Sequence, residues 1–323
     1  MLIEASILNS WHDKTCIVSI CCLSYNHESY ITECLESILS QKTDFGFEVL
    51  IHDDASSDGT QMIIKKYTKQ FPNIIKPILQ TENQRSRLKS GMNPEFNYPR
   101  AQGKYIAFCE GDDYWSDADK LQKQVDLLSK HKEIGAVVSD YDKFIQHTSK
   151  IKRRILSNSY KNLSRGILAS KPLFSVALKQ TRTVTAMIKK EHVSSFQRSD
   201  FLSGVPGDTQ LFGHLFLTSK IYFMNECTAV YRVLNESVSH TKSFEKKQQF
   251  MHSFNTYMAH VNKNYSLGYK DRRYFKKSLR LFRIRQLAYE RKIHRVIIAS
   301  FLFFMNGHLS RLVIPQIKKA FRK

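Results

Sequence analysis

A chain of 323 residues that is 42% hydrophobic can bury one large core or two modest ones. Its six cysteines form no CxxC pair and mostly lie in apolar runs, a pattern of buried reduced thiols that argues against a zinc site and for a reducing cytoplasm. The formal net charge of +21 is uneven: residues 1–150 hold 17 Lys/Arg against 21 Asp/Glu, while 151–323 hold 33 against 8, so the second half calls for a polyanionic partner, either nucleic acid or an anionic membrane surface.

No basic segment followed by an apolar core opens the chain, so no signal peptide is expected. Thr15 to Leu23 is a β-rich apolar run too continuous for a one-sided strand, and reads as a central parallel one. Ile31, Cys34, Leu35, Ile38 and Leu39 then fall on one face of a helix over 28–40. Phe47 to Ile51 is a second strand ending in His52-Asp53-Asp54. Ser56 to Gly59 supplies turn and N-cap chemistry, and Met62, Ile63, Tyr67 and Phe71 mark a second helix. Ile74 to Leu79 is a third strand, followed by a polar stretch over 80–101. Tyr105 to Cys109 is a fourth, Asp119 to Lys130 a helix, and Ala136 to Asp140 a fifth strand. This alternation argues for an α/β fold with a parallel sheet and crossover helices. Farther on, Thr183 to Ile188 and Lys220 to Val233 read as strands, with a helix near Leu211 to Leu217 between them. From Ser243 the chain carries 19 Lys/Arg against three acids, with Tyr274, Phe275, Leu279, Phe282 and Leu287 at helical spacing. The longest apolar run there, Val296 to Met305 broken by Ser300, is about half of the roughly 20 residues a spanning helix needs.

The strand at Tyr105 delivers Glu110, Asp112 and Asp113 together at its C-terminal end, followed by Tyr114 and Trp115. Crowded carboxylates repel one another and resist burial, so they call for a cation between them. In an open α/β sheet that strand end is also where ligands bind. The pairing suggests a divalent metal holding a phosphorylated ligand; a solvated acidic turn is the alternative. If the strands ending at Asp53-Asp54 and at Asp112-Asp113 are neighbours, both pairs open on one crevice.

Four blocks in order over residues 17–128 resemble family 2 glycosyltransferases: Val18-Ser19-Ile20 with Ser24-Tyr25-Asn26; Ile38-Leu39-Ser40-Gln41; Phe47 to Thr60 around His52-Asp53-Asp54; and Ala101 to Trp115 continuing into Asp119-Lys120-Leu121-Gln122-Lys123-Gln124. The resemblance implies a GT-A fold, with a Rossmann-like, mostly parallel sheet and flanking helices. It also implies a nucleotide-sugar donor, Mn²⁺ or Mg²⁺, and inversion at the anomeric carbon. On it, residues 1–240 form the catalytic domain, with a nucleotide-sugar-binding half over about 15–140 and an acceptor-binding half over 141–240. Residues 241–323 form a basic helical extension without a counterpart in the family.

By the same resemblance Asp54 binds the nucleotide base, where a carboxylate suits a uracil imide N–H, and Tyr25 lines that pocket. Asp54 as a helix N-cap and Tyr25 as a packed strand-end aromatic are the alternatives. Asp112 and Asp113 hold the metal, Asp112 also facing the donor, and hard carboxylate oxygens suit Mn²⁺ or Mg²⁺ sharing the donor's phosphates. Glu110 stands where many members carry Asp, as a ligand or a ribose contact. Asp208, in Val205-Pro206-Gly207-Asp208-Thr209-Gln210, resembles the segment of the catalytic base; a plain helix N-cap is the alternative, and the two roles are compatible. Leu234 stands where members carry His after Tyr231-Arg232, leaving His240 as a substitute ligand and Arg232 as a diphosphate contact. Arg85 or Arg87 meets phosphates, or belongs to a solvated basic loop.

The leading expectation is therefore a cytoplasmic, metal-dependent, inverting glycosyltransferase. Its donor is a UDP-sugar and its acceptor a growing surface glycan, free or lipid-linked. The basic tail then anchors the enzyme to the anionic inner face of the cytoplasmic membrane. A nucleic-acid-binding protein would explain the basic half but leaves both acidic strand ends unexplained. A nucleotidyltransferase would want a Gly-rich loop where Leu23-Ser24-Tyr25-Asn26-His27 stands.

Overall fold

The structure is a computed structural model that describes residues 2–85, 87–88, 91–159, 166–168, 181–195, 202, 205–234 and scattered positions from 249 to 287. The chain divides into two compact units, Met1–His240 and Thr241–Lys323. In the first unit the strands are β1 (Asp13–Ser24), β2 (Phe45–Asp53), β3 (Ile75–Leu79), β4 (Tyr105–Phe108), β5 (Tyr114–Trp115), β6 (Ile134–Ile145), β7 (Lys150–Lys152), β8 (Gly166–Leu168), β9 (Ala186–Lys189) and β10 (Lys220–Val233). Its helices are α1 (Glu4–Ser10), α2 (Ile31–Leu39), α3 (Thr60–Gln70), α4 (Lys120–Lys130), α5 (Ile155–Ser159), α6 (Lys190–Ser195) and α7 (Gly207–Thr218).

All these strands join one sheet in the order β3-β2-β1-β4-β9-β6-β10-β5, with β7 on β6 and β8 on β10. The first four are parallel. β9 then enters antiparallel to both β4 and β6, while β6 and β10 run parallel to each other. The sheet is thus parallel in its first half and mixed in its second. β2 is buried along its whole length, as a strand covered on both faces must be. The two acidic strand ends are not neighbours: β1 lies between β2 and β4. Because all three run the same way, the two ends still emerge on one edge.

The helices follow their apolar rows with one exception. α2 buries Ile31, Cys34, Leu35, Ile38 and Leu39 as the spacing requires. α3 instead buries Thr60 and Ile64 and leaves Met62 69% exposed. Its rotation is set by its first residue, since Asp58 Oδ1 accepts both the Thr60 N–H (3.0 Å) and the Thr60 hydroxyl. The segment at Thr183, expected as strand from its first residue, begins with a 3-10 turn, Thr183–Thr185, in which the Thr185 N–H and hydroxyl both return to Arg182 O. In the second unit the described positions from 249 to 287 are mostly helical. Leu287 is buried there with Tyr257, Val261 and Ile284. Among the described residues no helix is long and apolar enough to cross a membrane.

Lys120 fixes α4 under the acidic loop. Its side chain is fully buried, its Nζ donates to Gln124 Oε1 at 2.6 Å and lies 4.7 Å from the Trp115 ring centroid. Gln124 passes the connection on to Thr185 O at 2.9 Å. Burial pushes the Lys120 ammonium down from 10.5 to about 7. Between those values the unfolded chain binds the proton and the folded chain does not, so this group's contribution to stability is full above about 10.5 and is lost as pH falls through about 7. In urea unfolding at pH 6, 8 and 10, Lys120→Met should therefore gain on the wild type progressively toward pH 6. A difference independent of pH would show that the ammonium is not desolvated.

Candidate active site

Three loops at the C-terminal edge of β1, β2 and β4 are laced together. The Asp54 N–H donates to Ser24 O at 3.0 Å and the Gly111 N–H to Leu23 O at 2.8 Å, so the end of β1 holds both acidic segments. Asp53 is buried and accepts from Ser24 Oγ (2.8 Å), the Ser56 N–H (3.0 Å) and Gln61 Nε2 (2.7 Å). Asn26, at a positive φ of 54° that Asn tolerates better than most residues, accepts the Ser57 N–H at 2.9 Å.

Asp54 is not a helix cap. Its carboxylate, 5% exposed, accepts the N–H groups of Gln84 (2.7 Å) and Arg85 (3.2 Å), so it pins the 83–85 loop over the end of β2. Each carboxylate oxygen keeps a further lone pair. Arg85 leaves its exposed guanidinium outside that loop. Arg87 is exposed and paired with Glu82 at 2.9 Å. Tyr25 is 47% exposed at the end of β1, an aromatic presented to solvent rather than packed.

On the other side of β1, Glu110, Asp112 and Asp113 come together as spaced. Thr183 Oγ1 reaches both Glu110 oxygens, at 2.7 and 2.8 Å. Burial pushes Glu110 up to about 7, opposed by the Thr183 hydroxyl and reinforced by Asp112 and Asp208. Asp113 is 3% exposed and held well above the usual carboxylate range by burial, Asp112 and Glu110. Its Oδ1 accepts the Arg232 N–H at 2.7 Å. Asp112 keeps about a fifth of its side chain exposed. The Asp208 carboxylate is exposed in the first turn of α7, accepts the Thr209 N–H at 2.7 Å and does not cap the helix, whose N-cap is Pro206. Its charge helps raise both Glu110 and Tyr98. Gln210 anchors the approach to α7 through Leu202 and Val205.

Arg232 is not free for a diphosphate. Its Nε donates to Asp112 O at 2.8 Å and its Nη1 to Gln146 Oε1 at 2.8 Å, while its Nη2 pairs with Glu33. Its guanidinium packs near the rings of Tyr30, Tyr114 and Phe144. His240 lies outside the described residues. Two contributors were missed in the sequence. One is Thr183, 73 positions from Glu110 in the chain. The other is His27, whose Nε2 sits 4.0 Å from Asp112 Oδ2 and whose buried Nδ1 has no hydrogen-bond partner; it follows Tyr25-Asn26 directly, and that position was its only cue.

Three carboxylates are gathered at one strand end, two of them with raised proton affinity, while the Arg232 guanidinium is engaged by Glu33, Gln146 and the Asp112 carbonyl and not by their oxygens. Among the described residues no group of three His, Cys, Asp or Glu side chains is set to hold a metal ion.

The family model described as Glycosyl transferase family 2 matches residues 19–190. TuaG of Bacillus subtilis strain 168, a glycosyltransferase named for teichuronic acid biosynthesis, is 30% identical over 231 residues, covering 70% of this chain and 82% of TuaG. The Mycobacterium tuberculosis protein Rv1520 is 44% identical over 118 residues, 36% of this chain and 32% of its own length. The chain thus matches about a third of that relative. In fold the chain is similar to S. aureus TarS in complex with UDP-GlcNAc, with a TM-score of 0.62 at 16% identity over 94% of this chain and 88% of the other. It is similar also to the Pyrobaculum calidifontis mannosyltransferase PcManGT in complex with GDP-Man and Mn²⁺, with a TM-score of 0.61 at 17% identity over 97% and 84%. The sheet and its flanking helices have the GT-A fold.

Because the Arg232 side chain is buried among three rings and joined to three groups, Arg232→Lys should lower stability by about 2–4 kcal/mol in urea unfolding, the scale of breaking a buried charged network. A loss below about 0.5 kcal/mol, the range of ordinary surface changes, would show that the clamp is not needed to hold the acidic loop.

Proposed function

The chain belongs to glycosyl transferase family 2, and we propose that it transfers a sugar with inversion from a UDP-sugar to a hydroxyl of a growing surface glycan, using a divalent metal. The observation that carries this reading is the set of crowded carboxylates at the C-terminal edge of β4, on the same side of the sheet as the loop pinned by Asp54. The UDP-GlcNAc and the GDP-Man with Mn²⁺ in the two neighbouring structures support a nucleotide-sugar donor and a metal. The name of TuaG supports a surface polysaccharide.

In this reading Asp54 accepts the uracil imide N–H while shaping the 83–85 loop, and Tyr25 covers the base. The Arg85 guanidinium faces the phosphates. Asp112 and Asp113 would hold Mn²⁺ or Mg²⁺, whose charge would offset that developing on the departing nucleoside diphosphate. Asp113 offers Oδ2, because Oδ1 is engaged by Arg232. Glu110, kept rigid by Thr183, contacts the donor ribose or the metal. Asp208 takes the proton from the acceptor hydroxyl, on the face opposite the leaving group. Its exposure leaves it accessible to an acceptor arriving from solvent. The basic segment after residue 240 rests on an anionic membrane surface.

Thermal shift with UDP-, GDP- and dTDP-sugars should give stabilisation by a UDP-sugar that needs Mn²⁺ and is abolished by chelator. Asp112→Asn should remove it without loss of fold. A folded protein stabilised by no nucleotide sugar would overturn the reading. Asp208→Asn should lower turnover about 10²–10⁴-fold, the range for general base catalysis, with donor affinity unchanged. Full turnover by that variant would reassign the base.

A further inference from the structure

Three cations on the second half of the sheet lie in a row, and the first described function leaves them unused. In register, Tyr231 of β10 is opposite Lys143 of β6, and Lys143 is opposite Lys152 of β7. Register partners share a face, so these side chains stand side by side at the strand separation of about 4.8 Å. The Arg182 guanidinium lies 4.8 Å from the Tyr231 ring centroid, and Lys143 Nζ lies 5.8 Å from the same centroid. Arg182 Nε is buried without a hydrogen-bond partner. The neighbouring Arg153 and Arg154 are paired with Asp142 and Asp140, whereas Arg182, Lys143 and Lys152 have no carboxylate partner among the described residues. Burial, Arg182 and Lys152 together hold Lys143 below its ordinary lysine range. Like charges crowded in this way want an anion between them.

The row begins at the reacting centre and leads away from it. Arg182 precedes Thr183, which holds Glu110, and its charge acts on Asp113; Lys152 is exposed at the far end. We propose that Arg182, Lys143 and Lys152 form a binding rail for the acceptor, and that the acceptor is an anionic glycan carrying phosphate or carboxylate groups on successive units. This rests on the transferase reading above. Arg182 and Lys143 share the Tyr231 ring and Lys152 stands one strand separation of about 4.8 Å beyond Lys143, a series of cations that suits charges repeated along a chain. All three cations also come from the part of the sheet beyond β4, away from the Asp54 loop.

Calorimetry on the full chain tests this with tri-galacturonate and tri(glycerol phosphate) against neutral maltotriose, with and without saturating UDP and Mn²⁺. The wild type should bind at least one charged trimer at least tenfold tighter than maltotriose, with UDP–Mn²⁺ already bound. Lys143→Gln with Lys152→Gln should remove that preference. Lys143→Arg with Lys152→Arg should keep it, as should Lys276→Gln with Arg280→Gln in the basic tail. No preference in the wild type overturns the proposal. So does loss only in the tail variant, or displacement of the trimer by UDP, which would give the row to the donor diphosphate. UDP-sugar binding is read separately, so a chain that binds the trimer and no nucleotide sugar would sink the transferase reading while leaving the rail.

Discussion

Arg232 holds the acidic loop in place from a distance of 119 residues in sequence. Its backbone N–H neutralises part of Asp113 and its Nε fixes the carbonyl of Asp112, so the loop after β4 takes its shape from β10. Without such a clamp, three carboxylates at one strand end would swing apart into water, because their mutual repulsion is relieved by distance. Beyond that one N–H the clamp adds no cationic charge to the acids, since the guanidinium spends its charge on Glu33 and on neutral oxygens. The geometry is retained and the excess negative charge is left for a ligand.

That division explains how the two halves of the sheet act together. The parallel strands β1, β2 and β4 gather acids on one edge, as strands with a common direction must. The mixed half supplies the parts that need to approach from elsewhere: Thr183 at the entrance to β9, Arg232 on β10 and Asp208 on α7. Antiparallel entry of β9 puts the residues before it, not after it, at the C-terminal edge of β4. A second-half strand in the parallel sense would have carried Thr183 to the opposite edge.

Local pattern was enough for most of the main elements and for the acids, though not for α1, β5, β7 or β8. The apolar row of α2, the long apolar strand β1 and the bounds of β10 all follow from residue order, and so does the convergence of Glu110, Asp112 and Asp113. What residue order could not supply were contacts between distant segments. Arg232 read as a free cation because its partners Glu33 and Gln146 lie far off in the chain. Asp54 had a cap as its alternative reading because capping and loop pinning need the same side chain; the structure gives capping-type chemistry to Asp58 and the loop to Asp54. The face of α3 was misjudged for a related reason, since three apolar residues in succession, Met62, Ile63 and Ile64, fit more than one rotation until Thr60 fixes it.

The basic character of the second half also resolves into two different things. Residues after 240 carry their Lys and Arg in a separate unit, where charge density alone decides the attraction to an anionic surface. Lys143 and Lys152 instead owe their position to strand register, and a shift of one residue would turn both to the other face of the sheet. Register-fixed charges discriminate between ligands by spacing, which diffuse charge cannot do. On the proposed reading, the row of Arg182, Lys143 and Lys152 and the acids after β4 form one electrostatic pattern, negative where a cation-bound donor would sit and positive where the other substrate would approach. Such an arrangement would keep two anionic substrates apart until they meet at Asp208.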